Sequence, residues 1–357
     1  MKCRNIAAGI SFLLAAVACS TEEIILDGAL KKEAQQQSGV TELALSISIN
    51  INKIETRAGE IIDGDPSAES SVAACSVILF EDDNVVGAYD GVTATADGDS
   101  YTLTDAKFLV KIGRAYEVYV IGDTKQAFKA CKTKTAVEAI AFGATDLDGK
   151  VKFGKADVSV DEGSSSALGE TIDETIDVEL SNLTAQIRLM DVRGSLAKGE
   201  EASDGKVQLT KVEVLNRNTA YSIDNKTAMN LTDLVSDSED IPYNIPNRTE
   251  WEQTNIAEFA TFPNTDAETP TQIRLTFKVG AGEVQTRTYT INRPDGEEEG
   301  RTTDNKTETS YINAGYIYNL YAKVTLEGDE LDCELTCFTQ DWLYNEYDAV
   351  VEEVEED

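Results

Sequence analysis

Hydrophobic residues recur at every second position over long parts of this chain. The most regular stretch is Leu43 to Ile51, where Leu43, Leu45, Ile47, Ile49 and Ile51 alternate with Ala44, Ser46, Ser48 and Asn50. Successive side chains of an extended strand point to opposite faces, so the pattern predicts a half-buried β-strand. Burying five large aliphatic side chains contributes about 7–15 kcal/mol gross, at 1.5–3 kcal/mol each. That matches the whole net stability of an ordinary domain. A few residues later, Glu55-Thr-Arg-Ala-Gly-Glu60 is small and polar and holds one basic residue, Arg57. Proteases nick segments of this kind. A strand of such weight followed by a cuttable linker points to a strand suited to exchange.

The same alternation continues downstream. Val72–Phe80 and Val85–Tyr89 read as strands around an Asp82-Asp83 turn, followed by Phe108–Ile112 and Ala115–Ile121. Asp90-Gly91 and Asp97-Gly98 read as turns. Between Thr124 and Phe142 the apolar positions Phe128, Cys131, Val137, Ile140 and Ala141 have a weak helical period, which predicts a short helix or two. A second series of strands opens at Glu179–Met190. It continues at Val207–Leu215, Gln272–Val279 with Glu283–Ile291 as a hairpin, Tyr316–Leu326 and Leu331–Cys337. The stretch from Asn216 to Pro270, with Pro242, Pro246 and Pro263, reads as long and irregular. Many short strands with few helical runs predict an all-β protein with minor helix, as two antiparallel β-sandwich domains in tandem. The expected division is 58–178 and 179–357.

Before Cys19 the pattern changes. Lys2 and Arg4 form a short basic region, and Ile6–Val17 is an apolar run too short to span a bilayer. Residues 1–18 therefore read as an export signal. Small residues before Cys19 resemble a bacterial lipobox, in which that cysteine becomes the acylated first residue, although Ala16 stands where Leu is usual. A plain secretory signal with an incidental cysteine is the alternative. Residues 20–41 are polar and Gln-rich and read as a tether.

Composition narrows the function. The 357 residues include 65 acidic and 31 basic ones, a net charge of −34. Nucleic-acid binding needs a basic footprint, so that partner class is excluded. There is no histidine, which removes the commonest general base and the commonest zinc ligand. The chain reads as a non-enzyme without cofactor. Asp82-Asp83, Asp97-Gly-Asp99 and Asp146-Leu-Asp-Gly149 would suit calcium, but none completes a loop ending in a bidentate Glu, and no metal is expected. Beyond the signal lie Cys75, Cys131, Cys333 and Cys337. Cys333 and Cys337 would sit roughly 13 Å apart along one strand, at about 3.3 Å per residue, too far to bridge each other. Buried thiols are the plain reading, with a bridge to Cys75 or Cys131 open in an oxidising compartment.

Taken in order, a lipobox, a polar tether, an aliphatic strand, Thr56-Arg57-Ala58 and two β-domains resemble the type V fimbrillins of Bacteroidales, precursors of fimbrial subunits. Cys75-Ser-Val-Ile-Leu-Phe-Glu-Asp-Asp-Asn84, Arg114-Ala-Tyr-Glu-Val-Tyr-Val-Ile-Gly122 and Leu183-Thr-Ala-Gln-Ile-Arg-Leu189 are similar to stretches of that family. So are Phe259–Thr265, Tyr311–Leu320 and Gln340-Asp-Trp342, although the cysteines are not a family need. The resemblance implies transthyretin-like sandwiches. It also implies an outer-membrane precursor, lipidated at Cys19, whose propeptide 19–57 leaves after a trypsin-like protease cuts between Arg57 and Ala58. The slot vacated by Leu43, Leu45, Ile47, Ile49 and Ile51 would then take a C-terminal segment of another subunit. Leu331, Cys333, Leu335, Cys337, Val350 and Val351 are the candidate donor residues, and other copies of the chain and accessory subunits the expected partners in a surface fimbrium supporting adhesion. The rival readings are a fimbrial anchor or accessory protein that keeps its lipid and a monomeric glycan-binding lipoprotein. The latter needs an exposed aromatic platform, and only Trp251 and Trp342 are present. A carboxylate-only glycosidase is a third, but no acid pair stands out.

Overall fold

The computed structural model describes residues 40–51, 71–98, 100–148, 150–160, 171–194, 206–224, 234–252, 254–264, 266, 268–291, 302–303, 312–327 and 330–341. Cys19, Arg57, Ala58, Trp342, Val350 and Val351 lie outside them. Within them the chain is almost entirely β.

The first sandwich contains β1 (Val40–Ile51), β2 (Ala74–Glu81), β3 (Asn84–Thr93), β4 (Thr95–Asp97), β5 (Ser100–Lys111), β6 (Arg114–Gly122), β7 (Lys152–Val160) and β8 (Thr171–Asn182). Two short helices, α1 (Lys134–Glu138) and α2 (Ala144–Asp148), lie between β6 and β7. The hydrogen-bonded order is β3-β2-β6-β7-β8-β1-β5-β4. β7 and β8 pair only at Lys152–Asn182 and Phe153–Ser181, and there the ribbon turns into two layers over one core. Gly154 makes this approach: a Cβ on it would fall 2.2 Å from the Glu179 carbonyl oxygen, closer than any other residue allows. Both layers fill that core, with Leu43, Leu45, Ile47 and Ile49 on β1, Val77 and Leu79 on β2, and Val118 and Val120 on β6.

The second sandwich contains β9 (Ala185–Gly194), β10 (Val207–Asn218), β11 (Leu234–Asn244), β12 (Ala257–Thr261), β13 (Gln272–Val279), β14 (Glu283–Thr290), β15 (Thr302–Thr303), β16 (Tyr316–Glu327) and β17 (Glu330–Asp341). One sheet runs β11-β10-β13-β14 and the other β12-β9-β16-β17-β15. Alternate residues such as Leu209, Val212, Leu275, Phe277, Leu320 and Val324 fill the core between them.

A third cluster joins the two sandwiches. Phe128, Val137, Phe142 and Leu147 pack on Ile78, Phe80, Tyr119 and Ile121 of β2 and β6, together with Phe262 of the second sandwich. The Phe142 amide donates to the Tyr221 carbonyl at 2.7 Å, and the Tyr221 amide donates back at 3.1 Å.

The structure departs from the sequence expectation in several places. The sandwiches are not wholly antiparallel, because β1 pairs in parallel with β8 and β9 with β16. These partners are far apart in sequence, where hairpin signals carry no information. The stretch expected to be irregular holds β11 and β12. Pro242 is compatible with β11 because that strand is an edge, where a missing amide breaks no ladder. Asp90-Gly91 is not a turn but part of β3. The register against β2 slips by one residue there, with Gly91 at φ 73°, as in a bulge. Residue 178, the expected boundary, falls inside β8, and the change of sheet comes between Asn182 and Ala185.

Candidate functional site

The candidate site is the slot that β1 occupies. β1 is an inner strand, paired with β8 from Glu42–Thr171 to Ile51–Leu180 and with β5 from Val40–Lys111 to Ile49–Tyr101. Leu43, Leu45, Ile47 and Ile49 are each 0% exposed. At 1.5–3 kcal/mol per side chain their burial contributes about 6–12 kcal/mol gross. Ile51 joins the β8 ladder through its backbone. On the outer face, Ala44, Ser46 and Ser48 are half-buried and Asn50 is exposed. Glu42 lies 3.7 Å from Lys107 Nζ and accepts a hydrogen bond from Thr171 Oγ1 at 3.2 Å.

Taking β1 out of this sheet would leave β5 and β8 each with an unpaired edge. Between them would lie an apolar slot lined by Leu103, Ala106 and Phe108 on one side and Ile172, Val178 and Leu180 on the other. Such a slot accepts an extended chain: main-chain hydrogen bonds supply affinity and alternate side chains set the register.

The chain leading into β2 is fixed by groups other than β1. The Ala73 amide donates to Asp123 Oδ1 at 2.9 Å, the Asp123 amide to the Ala74 carbonyl at 2.9 Å, and the Ala94 amide to the Ala73 carbonyl at 3.0 Å. Asp123 also pairs with Lys152 Nζ at 3.0 Å, and Lys152 is 1% exposed. Burial pushes the Lys152 ammonium below its ordinary range, and Asp123 offsets part of that effect.

The candidate donor residues Leu331, Cys333, Leu335 and Cys337 lie on β17. Leu331, Cys333 and Cys337 are buried in their own sandwich and Leu335 packs against it. Among the described residues β17 has one full-length partner, β16, and on its other side only Thr302–Thr303 of β15, opposite Thr336 and Cys337. Side chains of β14 cover the remaining edge. The Leu331 amide donates to Gln285 Oε1 at 3.2 Å, Arg287 donates to the Leu331 carbonyl, and the Tyr289 hydroxyl donates to the Cys333 carbonyl. Sequence reading missed this clasp, because Gln285, Arg287 and Tyr289 alternate as any polar strand face would.

The other singled-out residues have structural roles. Asp82-Asp83 forms the β2–β3 turn, and Asp97 precedes the β4–β5 turn. Burial raises the pKa of Asp146, but hydrogen bonds from the Lys125 and Gly143 amides, Gln126 Nε2 and Thr124 Oγ1 outweigh it and hold the carboxyl below the usual range. No group of metal-ligating residues occurs among the described residues. Cys75, Cys131, Cys333 and Cys337 form no disulfide among the described residues. Burial pushes Cys75 up to about 12 and Cys333 up to about 11, so neither is a reactive thiolate. The Arg193 guanidinium sits 3.7 Å from the Trp251 ring centre, and Tyr321 packs against the same ring at 5.3 Å. Trp251 is thus part of a packed cluster.

No family model and no curated protein sequence matches the chain. Solved structures do. A "putative cell adhesion protein" from Parabacteroides distasonis ATCC 8503 is 12% identical, with a TM-score of 0.60 over 83% of this chain and 96% of that one. A fimbrilin (FimA) from Porphyromonas gingivalis W83 is 12% identical, with a TM-score of 0.53 over 84% of this chain and 97% of that one. A second adhesion protein of the same description from Parabacteroides distasonis ATCC 8503 has a TM-score of 0.51 at 12% identity, over 85% and 99%. The chain has the fold of Bacteroidales fimbrillins and related cell-adhesion proteins.

Proposed function

We propose that the chain is a structural subunit of a cell-surface fimbria. It is exported as a lipoprotein acylated at Cys19, carried to the outer membrane, and cut between Arg57 and Ala58 by a trypsin-like protease. The propeptide then leaves with β1, a C-terminal segment of another subunit fills the slot, and this chain's own donor residues, Leu331, Cys333, Leu335, Cys337, Val350 and Val351, enter the slot of a neighbouring subunit. Head-to-tail contacts of this kind need not close into a ring, so they build a filament. The observation that carries the reading is the position of β1. An inner strand with four fully buried aliphatic side chains is followed within a few residues by a basic site suited to cleavage. The fimbrial and adhesion fold supports it. The packing of Trp251 against Arg193 and Tyr321 weighs against a glycan platform at that residue.

A fimbrial anchor that keeps its lipid and β1 is the second reading, favoured by how completely β1 is integrated into its sheet. Terminal mass spectrometry of surface-shed protein separates the two. Processed subunit begins at Ala58, whereas an acylated Cys19 at the terminus identifies an anchor.

A further inference from the structure

The two flanks of the β1 slot differ in charge, and this difference bears on which strand the slot takes. On the outer face of β8, Asp173, Asp177 and Glu179 are exposed. In register with them on β1 stand Ala44, Ser48 and Asn50, all neutral. The β5 flank carries Lys107 opposite Ala44, and its ammonium lies 3.7 Å from Glu42 of β1. Opposite Ser48 the flank offers the neutral Thr102, and Asp177 and Glu179 are in no ion pair among the described residues. An acidic side chain at either position would stand directly across from a carboxylate.

The chain's own C-terminal segment brings acidic side chains. From Leu331 to Asp357 it contains no lysine or arginine, and the last basic residue is Lys323. On β17, Asp332 and Glu334 alternate with the apolar positions and are exposed, so they would face outward if that strand were donated. The stretch around Val350-Val351 is followed by Glu352-Glu353.

We propose that the slot is charge-selective. It favours a donor strand with aliphatic residues inward and neutral or basic residues outward at the places of Ser48 and Asn50, and it disfavours the acidic C-terminal segment of its own copies. The strand-exchange reading, on which this rests, then gives a subunit that joins preferentially to a different subunit. Like charges directly opposite across a ladder are destabilising, and two such pairs change affinity about 2- to 30-fold. The effect is screened at 1 M salt, where the Debye length is about 3 Å.

The test uses full-length protein cut after Arg57 with its own strand still lodged. Fluorescent peptides of residues 40–51 compete for the slot, carrying either Ser48→Lys with Asn50→Lys or Ser48→Glu with Asn50→Glu, alongside a peptide of residues 329–351. At 20 mM salt the Lys peptide should bind more tightly than the Glu peptide and the C-terminal peptide. The gap should close at 1 M salt, and in protein carrying Asp177→Asn with Glu179→Gln. Equal occupancy by Lys and Glu peptides at low salt, or C-terminal peptide binding as tightly as the Lys peptide, overturns charge selection while leaving strand exchange standing. If no peptide enters in large excess over days, strand exchange itself is overturned, and this proposal with it.

Discussion

The backbone amide of Ala73 donates to Asp123 Oδ1 at 2.9 Å, fixing the entry to β2 by a side chain from the end of β6. The same carboxylate holds the buried Lys152 ammonium at 3.0 Å. The entry to β2 is thus held by a contact that β1 does not make.

Removing that carboxylate should be costly. Asp123→Ala leaves Lys152 buried and uncompensated, and loss of one member of a buried pair costs about 3–5 kcal/mol. Replacing both groups, as Asp123→Ala with Lys152→Met, should recover most of the loss, because the buried charge is gone. Urea unfolding of the uncut protein checks this; a double variant as unstable as Asp123→Ala would show that the Ala73 contact, not the ion pair, dominates.

Acid should weaken the second sandwich through Glu213. Hydrogen bonds from Arg274 Nε at 2.7 Å and Lys211 Nζ at 2.8 Å outweigh desolvation and lower its pKa from 4.5 to about 2. A carboxylate depressed in the folded state stabilises above its unfolded pKa, and that contribution fades as pH falls through the folded one. Wild type should therefore exceed Glu213→Gln in urea midpoint at pH 6, with the difference shrinking from about pH 4.5 downward. A gap unchanged between pH 6 and pH 3 would rule this out.

The clasp on β17 makes a separate prediction. Gln285, Arg287 and Tyr289 satisfy main-chain groups at Leu331 and Cys333 that no neighbouring strand among the described residues reaches. Truncating them as Gln285→Ala, Arg287→Ala and Tyr289→Phe removes bonds worth about 0.5–1.5 kcal/mol each. Amide exchange at residues 331–337 should quicken, while β10 and β13 keep their protection. Uniform acceleration across the sandwich would mean that the clasp supports the whole domain rather than one strand.

Much of this fold is legible in the sequence because each strand buries one face. Leu43 to Ile49 alternates, and the structure buries those side chains as alternation demands. Gln272–Val279 is a strand over the expected residues. What escaped was non-local. The parallel pairing of Ile47 with Ile176 and of Leu320 with Leu189 joins segments over a hundred residues apart in sequence, and no local pattern encodes it. Phe128 and Val137 have a helical spacing, but only Lys134–Glu138 of that stretch is helix. Those residues are apolar because they fill the junction between sandwiches. The β1 slot was visible as a pattern, whereas its charged flank on β8 depends on register, which sequence alone does not supply.

The central claim is that β1 is exchanged only after the chain is cut. In the uncut protein the tethered strand has a high effective concentration, and an incoming segment does not displace it. After the cut the strand can dissociate, and the apolar slot favours capture of a neighbour. The direct measurement is size-exclusion chromatography with electron microscopy of wild type and Arg57→Ala at high protein concentration, before and after trypsin-like cleavage. The account predicts that Arg57→Ala stays a folded monomer and that wild type cut at Ala58 assembles into fibres. Fibres from uncut Arg57→Ala protein, or none from cleanly cut wild type, would contradict it.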